Sequence, residues 1–232
     1  MATRIALIGA TGRMGARIDA IASEDAQACV AMRVGRGEAA TGTANDPAHG
    51  PTIDVVVDFS SEPGTRRAIA LARGSGAALL VGTTGLSAEI TQELTALARS
   101  NAVLVAPNTS LGVAVTRKLA RLAAELLGGS GWSVDIVESH HDRKKDAPSG
   151  TALALARALE AGGMPVPSER IHAIRAGDTI GEHEIRLAGP SERIHLMHQA
   201  VSRDLFAAGA LRAAKWLHGR AAGNYSMDDV LS

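Results

Sequence analysis

The stretch IALIGATGRMG, residues 5–15, constrains the fold more than any other part of the chain. An apolar run breaks into three glycines at every third position and then continues as an amphipathic helix. Gly9, Gly12 and Gly15 allow the tight turn, and they let backbone approach a pyrophosphate whose charge meets the free N–H groups of the helix start. The spacing is G-x-x-G-x-x-G, with Thr11 where the commoner G-x-G-x-x-G has its second glycine, so the turn alone also fits a plain strand–helix junction. Its place at the head of an alternating array favours the dinucleotide.

That array is RIALIG, ACVAMRV, DVVVDFS, AALLVGTT and AVLVAP, separated by helical stretches such as RMGARIDAIAS and SAEITQELTALARS. Continuous apolar runs alternating with amphipathic helices indicate a parallel sheet covered on both faces. The expected fold class is α/β, a Rossmann-like doubly wound parallel sheet, followed by a smaller α+β domain with an open, mainly antiparallel sheet. In that second part a helix spans about Val113–Leu127, with Leu119, Leu122 and Leu126 on one face. WSVDIVE forms a strand, Thr151–Ala161 a helix, and RIHAIRA, EHEIRLA and RIHLMHQA an antiparallel meander. A last helix near Phe206–His218 returns to the first domain. The expected boundaries are 1–109 completed by 203–232, and 110–202.

Charge excludes several partners. Twenty-four basic and 24 acidic residues cancel, which leaves no positive field for nucleic acid or an anionic membrane, and 2% aromatics leaves little to stack on bases. The single cysteine, Cys29, lies in an apolar stretch and reads as a small buried hydrophobe. The first apolar run is too short for a signal-peptide core, and no segment approaches the roughly 20 apolar residues of a membrane span. A cytoplasmic protein is expected.

The end of the second strand, AMRVGRGE, has no acid before Glu38 to hold the ribose hydroxyls. Arg33 takes the expected place, with Arg36 close behind. An arginine there accepts a 2′-phosphate, so NADPH is the preferred cofactor and NADH the lesser one.

The chemistry concentrates in ESHHDRKKDAPSGTA, residues 138–152. A metal site is not expected, because His140 and His141 point to opposite faces of a strand and lack ligand spacing. No G-x-S-x-G elbow is present, and the one tyrosine, Tyr225, has no lysine four residues on. His140 and Lys144 can each donate a proton, while Ser149, Gly150 and Thr151 begin a helix whose amides and hydroxyls suit an anion. The segment reads as a site for an acidic substrate that receives hydride and then a proton.

This segment resembles the signature E-x-H-H-x-x-K-x-D-A-P-S-G-T-A of the 4-hydroxy-tetrahydrodipicolinate reductase (dihydrodipicolinate reductase) family, with every fixed position present. The resemblance extends to GATGRMG, VGTTG, APNTSLGV, RAGDTIGEH, SRDLFAAGALRAAKWL and YSMDDVL, nearly the whole chain. It implies a two-domain, usually tetrameric enzyme using NADH or NADPH. By that resemblance Gly9, Ala10, Thr11, Gly12, Arg13 and Met14 hold the pyrophosphate, and Gly82, Thr83 and Thr84 with Ala106, Pro107, Asn108 and Thr109 line the nicotinamide side. His140 and Lys144 handle the proton; His141, Gly150 and Thr151 bind substrate, with Ser149 beside them. Arg33 replaces the acid often seen at its position, and Thr109 a bulkier residue. The segment from Pro165 to Arg175 is short for the family. The implied reaction is reduction of a cyclic dicarboxylated imine in the lysine and diaminopimelate pathway. A dehydrogenase of another small carboxylate and a non-catalytic NAD(P)H-binding redox sensor are the competing readings. Apolar residues on both faces of the last strands (Ile171, Ile174, Ile185, Leu187, Ile194, Leu196, Met197) further predict a homotetramer built through that sheet.

Overall fold

The structure, a computed structural model, describes residues 1–36, 41–42 and 52–232; Glu38 lies outside the described residues. The chain divides into two compact units, Met1–Ser110 with Asp204–Ser232, and Leu111–Arg203.

In the first unit β1 (Thr3–Ile8), β2 (Ala28–Val34), β3 (Thr41–Gly42), β4 (Val55–Asp58), β5 (Ala78–Val81), β6 (Ala102–Val105) and β11 (Gly223–Tyr225) form one sheet in the order β11-β6-β5-β4-β1-β2-β3. All neighbours are parallel except β2 and β3. The apolar runs are what the sequence of a doubly covered sheet requires: Ile5, Leu7, Val55, Val56, Leu79 and Leu80 are completely buried. Helices α1 (Arg13–Ser23), α2 (Glu62–Ser75), α3 (Ala88–Leu97) and α6 (Asp204–Leu217) cover it. Helix α2 begins with Pro63 in its first turn and stops at Gly76, whose φ of 71° is the left-handed conformation that ends helices. The chain leaves β1 toward β2 and comes back on the other side at β4, so the carboxyl ends of β1 and β4 flank a topological switch point, where open α/β sheets bind ligands.

Cys29 corrects its sequence reading. It is exposed, because the alternation of β2 turns Ala28 and Val30 inward and Cys29 out.

The second unit holds α4 (Leu111–Leu127), β7 (Ser133–His140), α5 (Gly150–Ala161), β8 (Ile171–Arg175), β9 (Glu182–Ala188) and β10 (Arg193–Gln199), with strand order β10-β9-β7-β8. The sheet is mainly antiparallel, but the meander expected of its last three strands is absent. Strand β8 lies on the far side of β7 and runs parallel to it. The cause is α5, which carries the chain back as a crossover, so only β9 and β10 form a hairpin.

One sheet face packs Val134, Ile136, Ile185 and Leu187 against Ala120 and Ala124 of α4 and Leu155 and Leu159 of α5. Leu119, Leu122 and Leu126 do share a face of α4, but it is the outward one, 45%, 50% and 74% exposed. Alanines take the inward positions because α4 and α5 lie so close that a Cβ on Gly162 would stand 2.5 Å from the Arg121 carbonyl oxygen. Across the sheet, Ile174 and Met197 are exposed on the opposite face, beside Ser139 and Glu184 in register. No helix among the described residues is long and apolar enough to cross a membrane.

Candidate active site

In the first unit a cavity of about 480 Å³ opens at the switch point, with Gly9 and Gly12 on one wall, Ser60 and Ser61 on another, and Arg36 and Arg67 at its margin. Gly9 has φ 84°, and a Cβ there would lie 2.2 Å from the Phe59 carbonyl oxygen; one on Gly15 would lie 2.1 Å from the Gly9 oxygen. The turn therefore accepts only glycine at both points. Gly12 caps α1 with no side-chain hydrogen bond, so the first-turn amides keep their donor capacity for an anion. A cradle of backbone N–H groups beside a cavity of this size fits a dinucleotide.

The predicted cofactor residues divide among themselves. Gly9, Thr11 and Gly12 line the cavity; Ala10 donates its N–H to the Val34 oxygen at 3.2 Å, Arg13 is exposed and Met14 half-buried. Arg33 is outside the cavity lining: its guanidinium donates to Asp19 at 2.8 and 2.5 Å and to the Val30 oxygen at 3.0 Å. Gly82, Thr83 and Thr84 follow β5, and Ala106, Pro107, Asn108 and Thr109 follow β6. Gly82 is packed so tightly on the Phe59 ring that a Cβ would meet it at 2.2 Å. Thr84 and Pro107 are exposed. Asn108 accepts the Ser110 N–H at 2.8 Å, and Thr109 donates to the Phe206 oxygen at 2.7 Å.

Thr83 has its hydroxyl fully used. It donates to Asp58 at 2.9 Å and accepts the Ser60 N–H at 2.8 Å. Asp58 is completely buried and also accepts from Ser60 and, at 2.7 Å, from Thr65. This carboxyl thus ties together the loops after β4 and β5 and the first turn of α2. Burial raises its pKa above the ordinary value, and the three hydroxyls offset that only in part.

The second unit gathers the segment 138–152 around β7. Glu138 and His140 are two residues apart on a strand and so share its inward face. Glu138 is 0% exposed and His140 8%. The Nδ1 of His140 is hydrogen-bonded to Glu138 Oε2. Arg175, opposite His140 in the β8 register, donates from both Nη atoms to the two Glu138 oxygens at 3.0 Å, and the Ser149 N–H donates to Oε1 at 3.1 Å. Burial pushes the Glu138 pKa up, but the bonds from Arg175 and His140 outweigh it and hold the carboxyl below its ordinary value. Burial lowers the His140 pKa, more than Glu138 raises it.

Ser149 caps α5 by accepting the Ala152 N–H at 3.2 Å, and its Oγ lies 3.1 Å from His183 Nε2. His183, 4% exposed and set edge-on to His140 with ring centres 5.0 Å apart, is pushed by burial down to about 4. Lys144 is half-buried, its Nζ 2.9 Å from Asp146, whereas Lys145 is exposed. His141, just past the strand, is half-buried with Nδ1 enclosed and unpartnered. Gly150 and Thr151 form the first turn of α5.

Sequence reasoning assigned no role to Glu138, Arg175 or His183. The period of two on β7 was a usable signal for Glu138, but Arg175 and His183 arrive from β8 and β9 and have no local one. Ligand atoms of Glu138, His140 and His183 lie within 4.8 Å of one another, a spacing that suits a metal. Both Glu138 oxygens, however, are already filled by the guanidinium, the Ser149 amide and His140, and a dication would have to displace Arg175.

A parallel-sheet unit with a glycine turn over a nucleotide-sized cavity, joined to a unit that collects proton-carrying side chains at a helix amino end, defines an NAD(P)H-dependent oxidoreductase of two domains. The dihydrodipicolinate reductase N-terminal model matches residues 3–109 and the C-terminal model residues 112–231. A 4-hydroxy-tetrahydrodipicolinate reductase of Stenotrophomonas maltophilia (strain R551-3) is 44% identical over 98% of this chain and 97% of its own length; one of Xanthomonas axonopodis pv. citri is 40% identical over 99% and 98%. The dipicolinate-bound dihydrodipicolinate reductase of Paenisporosarcina sp. TG-14 superimposes with a TM-score of 0.77 at 23% identity, covering 97% of this chain and 98% of that one, and shares the fold. The chain belongs to the dihydrodipicolinate reductase family.

Proposed function

We propose that the chain reduces 4-hydroxy-tetrahydrodipicolinate, or the imine formed by its dehydration, to tetrahydrodipicolinate in lysine and diaminopimelate biosynthesis, with NADPH preferred over NADH. The observation that carries the proposal is the folding of one short segment into a buried His140, a half-buried Lys144 and the amino end of α5. A reduced nicotinamide, when bound, would supply the hydride for the conjugated imine. His140 and Lys144 hold the proton for the neighbouring carbon, a role commonly worth about 10²–10⁴ in rate. Gly150, Thr151 and His141 bind the substrate carboxylates, and Lys144 exchanges its Asp146 partner for one of them.

In the first unit, Gly9 to Met14 hold the pyrophosphate, and the loops at Gly82–Thr84 and Ala106–Thr109 shape the nicotinamide side. Preference for NADPH rests on Arg36, which borders the cavity without an ion pair among the described residues, with Arg33 behind it on Asp19. The assembly is a homotetramer joined through the exposed sheet face that carries Ile174 and Met197, working in the cytoplasm. The decisive experiment is steady-state NADPH oxidation with and without freshly generated imine. Imine-dependent oxidation is expected, and its absence overturns the assignment. Calorimetry should show tighter binding of NADPH than NADH, and light scattering a tetrameric mass; equal affinities or a monomer would remove those parts.

A further inference from the structure

We infer that Glu138 is a positioning residue for His140: its carboxylate, clamped by Arg175 and the Ser149 amide, fixes the His140 ring with a proton on Nδ1, so that Nε2 alone gains and loses the transferred proton. The inference rests on the proposed reduction and specifies which atom of its proton-handling group acts.

The geometry determines the tautomer. An ionised carboxylate is acceptor-only, so the close contact between Glu138 Oε2 and His140 Nδ1 requires the hydrogen on nitrogen. Ionisation follows from the other partners: Arg175 presents two donors at 3.0 Å in a bidentate fork, and the Ser149 N–H adds a third at 3.1 Å. Each Glu138 oxygen then accepts two hydrogen bonds, leaving the carboxylate no second orientation. Arg175 is itself held, by the Asp146 oxygen at 2.5 Å and the Ile174 oxygen at 2.7 Å.

The opposite edge of the ring is prepared differently. Among the described residues nothing hydrogen-bonds His140 Nε2, and Gly181 leaves room beside it, since a Cβ there would stand 3.1 Å from that atom. His183 meets the ring edge-on rather than through a nitrogen, since its Nε2 is engaged by Ser149. In the proton-loaded state both ring nitrogens carry hydrogen, and the adjacent Glu138 charge stabilises the imidazolium against Lys144 and Arg175. As the Nε2–H bond breaks and the substrate C–H bond forms, the ring relaxes to the neutral Nδ1–H imidazole. Solvent protonates Nε2 for the next turnover.

The test combines kinetics with the nitrogen spectrum of the full-length protein labelled with 15N-histidine. The chain has 8 histidines, and the His140 signals are assigned by their loss in His140→Asn. Neutral His140 should show a protonated Nδ1 and an unprotonated Nε2. Glu138→Gln should mix the two tautomers and lower kcat at least tenfold while leaving NADPH affinity within twofold; Arg175→Lys, which keeps the charge but loses the fork, should fall between that variant and the unmutated chain. A protonated Nε2 in the unmutated neutral protein overturns the inference, as does a Glu138→Gln variant with unchanged kcat and tautomer. If Glu138→Gln does not fold, the spectrum of the unmutated chain still decides. A chain with the expected tautomer but no imine reduction would instead fail the proposed function.

Discussion

Asp58 in the first unit and Glu138 in the second are both completely buried carboxyls beside a candidate binding site, yet their surroundings drive them opposite ways. Asp58 is met by three neutral hydroxyls, from Ser60, Thr65 and Thr83, and burial leaves its pKa raised. Glu138 is met by a guanidinium, an imidazole and an amide, and its pKa is lowered. Burial alone does not set the direction in which a buried acid's pKa moves; the charge of its donors decides it. Asp58 ties its loops together through neutral hydroxyls, and Glu138 ties its strands and helix start through paired charge.

The largest test of that contrast removes the acid. Glu138→Ala should cost about 3–5 kcal/mol in urea unfolding, because Arg175 is left beside His140 without its counter-charge. A loss below about 1 kcal/mol would mean the pair is not a buried charge pair in solution. Next comes the charge proposed to meet the substrate. Lys144→Ala should weaken substrate capture by about 2–5 kcal/mol and lower turnover, while exposed Lys145→Ala changes little and NADPH binding survives both. Equal damage from the two substitutions would break the division.

Acid should then separate the units. His183 has its folded pKa at about 4, below the unfolded value near 6.5, so the unfolded chain binds the extra proton first. Its contribution is present above pH 6.5 and is lost by about pH 4, roughly 3 kcal/mol in all. Glu138, with a lowered pKa, acts in the same direction. Asp58, with a raised one, is most favourable below its unfolded pKa and loses that contribution as pH rises through the folded value. Hydrogen exchange should show β7 and β9 losing protection on going from pH 7 to 4.5, while β4 and β5 hold theirs; His183→Gln should flatten the first response. The smallest effect is Asp58→Asn, which keeps an acceptor for the hydroxyls and should cost no more than about 1 kcal/mol. A loss as large as that of Glu138→Ala would show that an amide cannot stand in for the Asp58 carboxyl.

Much of the first unit was legible because long apolar runs and a glycine turn carry both element type and order. The second unit was less so. A five-residue strand such as β8 has no internal mark of its neighbour, and its place was decided by the α5 crossover. The leucines of α4 share a face as read, but which way it points was not legible, because close helix packing puts alanine inward and that constraint resides in the partner helix. At the site, His140, Lys144 and Ser149 were visible as a motif. Arg33 was visible too, but its engagement by Asp19 depends on where α1 lies against β2. The clamp on Glu138 needed two strands and a helix start to be assembled.

The first unit is interrupted in sequence, whereas the second is one continuous stretch, Leu111–Arg203. During synthesis the ribosome therefore finishes the inserted unit while its host still lacks α6 and the edge strand β11. Until those arrive, Thr109 has no Phe206 oxygen to bond, the edge of β6 is unpaired, and α1 has no α6 to pack on. The nascent chain should thus protect 111–203 from proteolysis before 1–110, and emergence of the segment Asp204–Ser232 from the ribosome should be the event that completes the first unit. A chain stalled short of Asp204 offers chaperones an unfinished sheet.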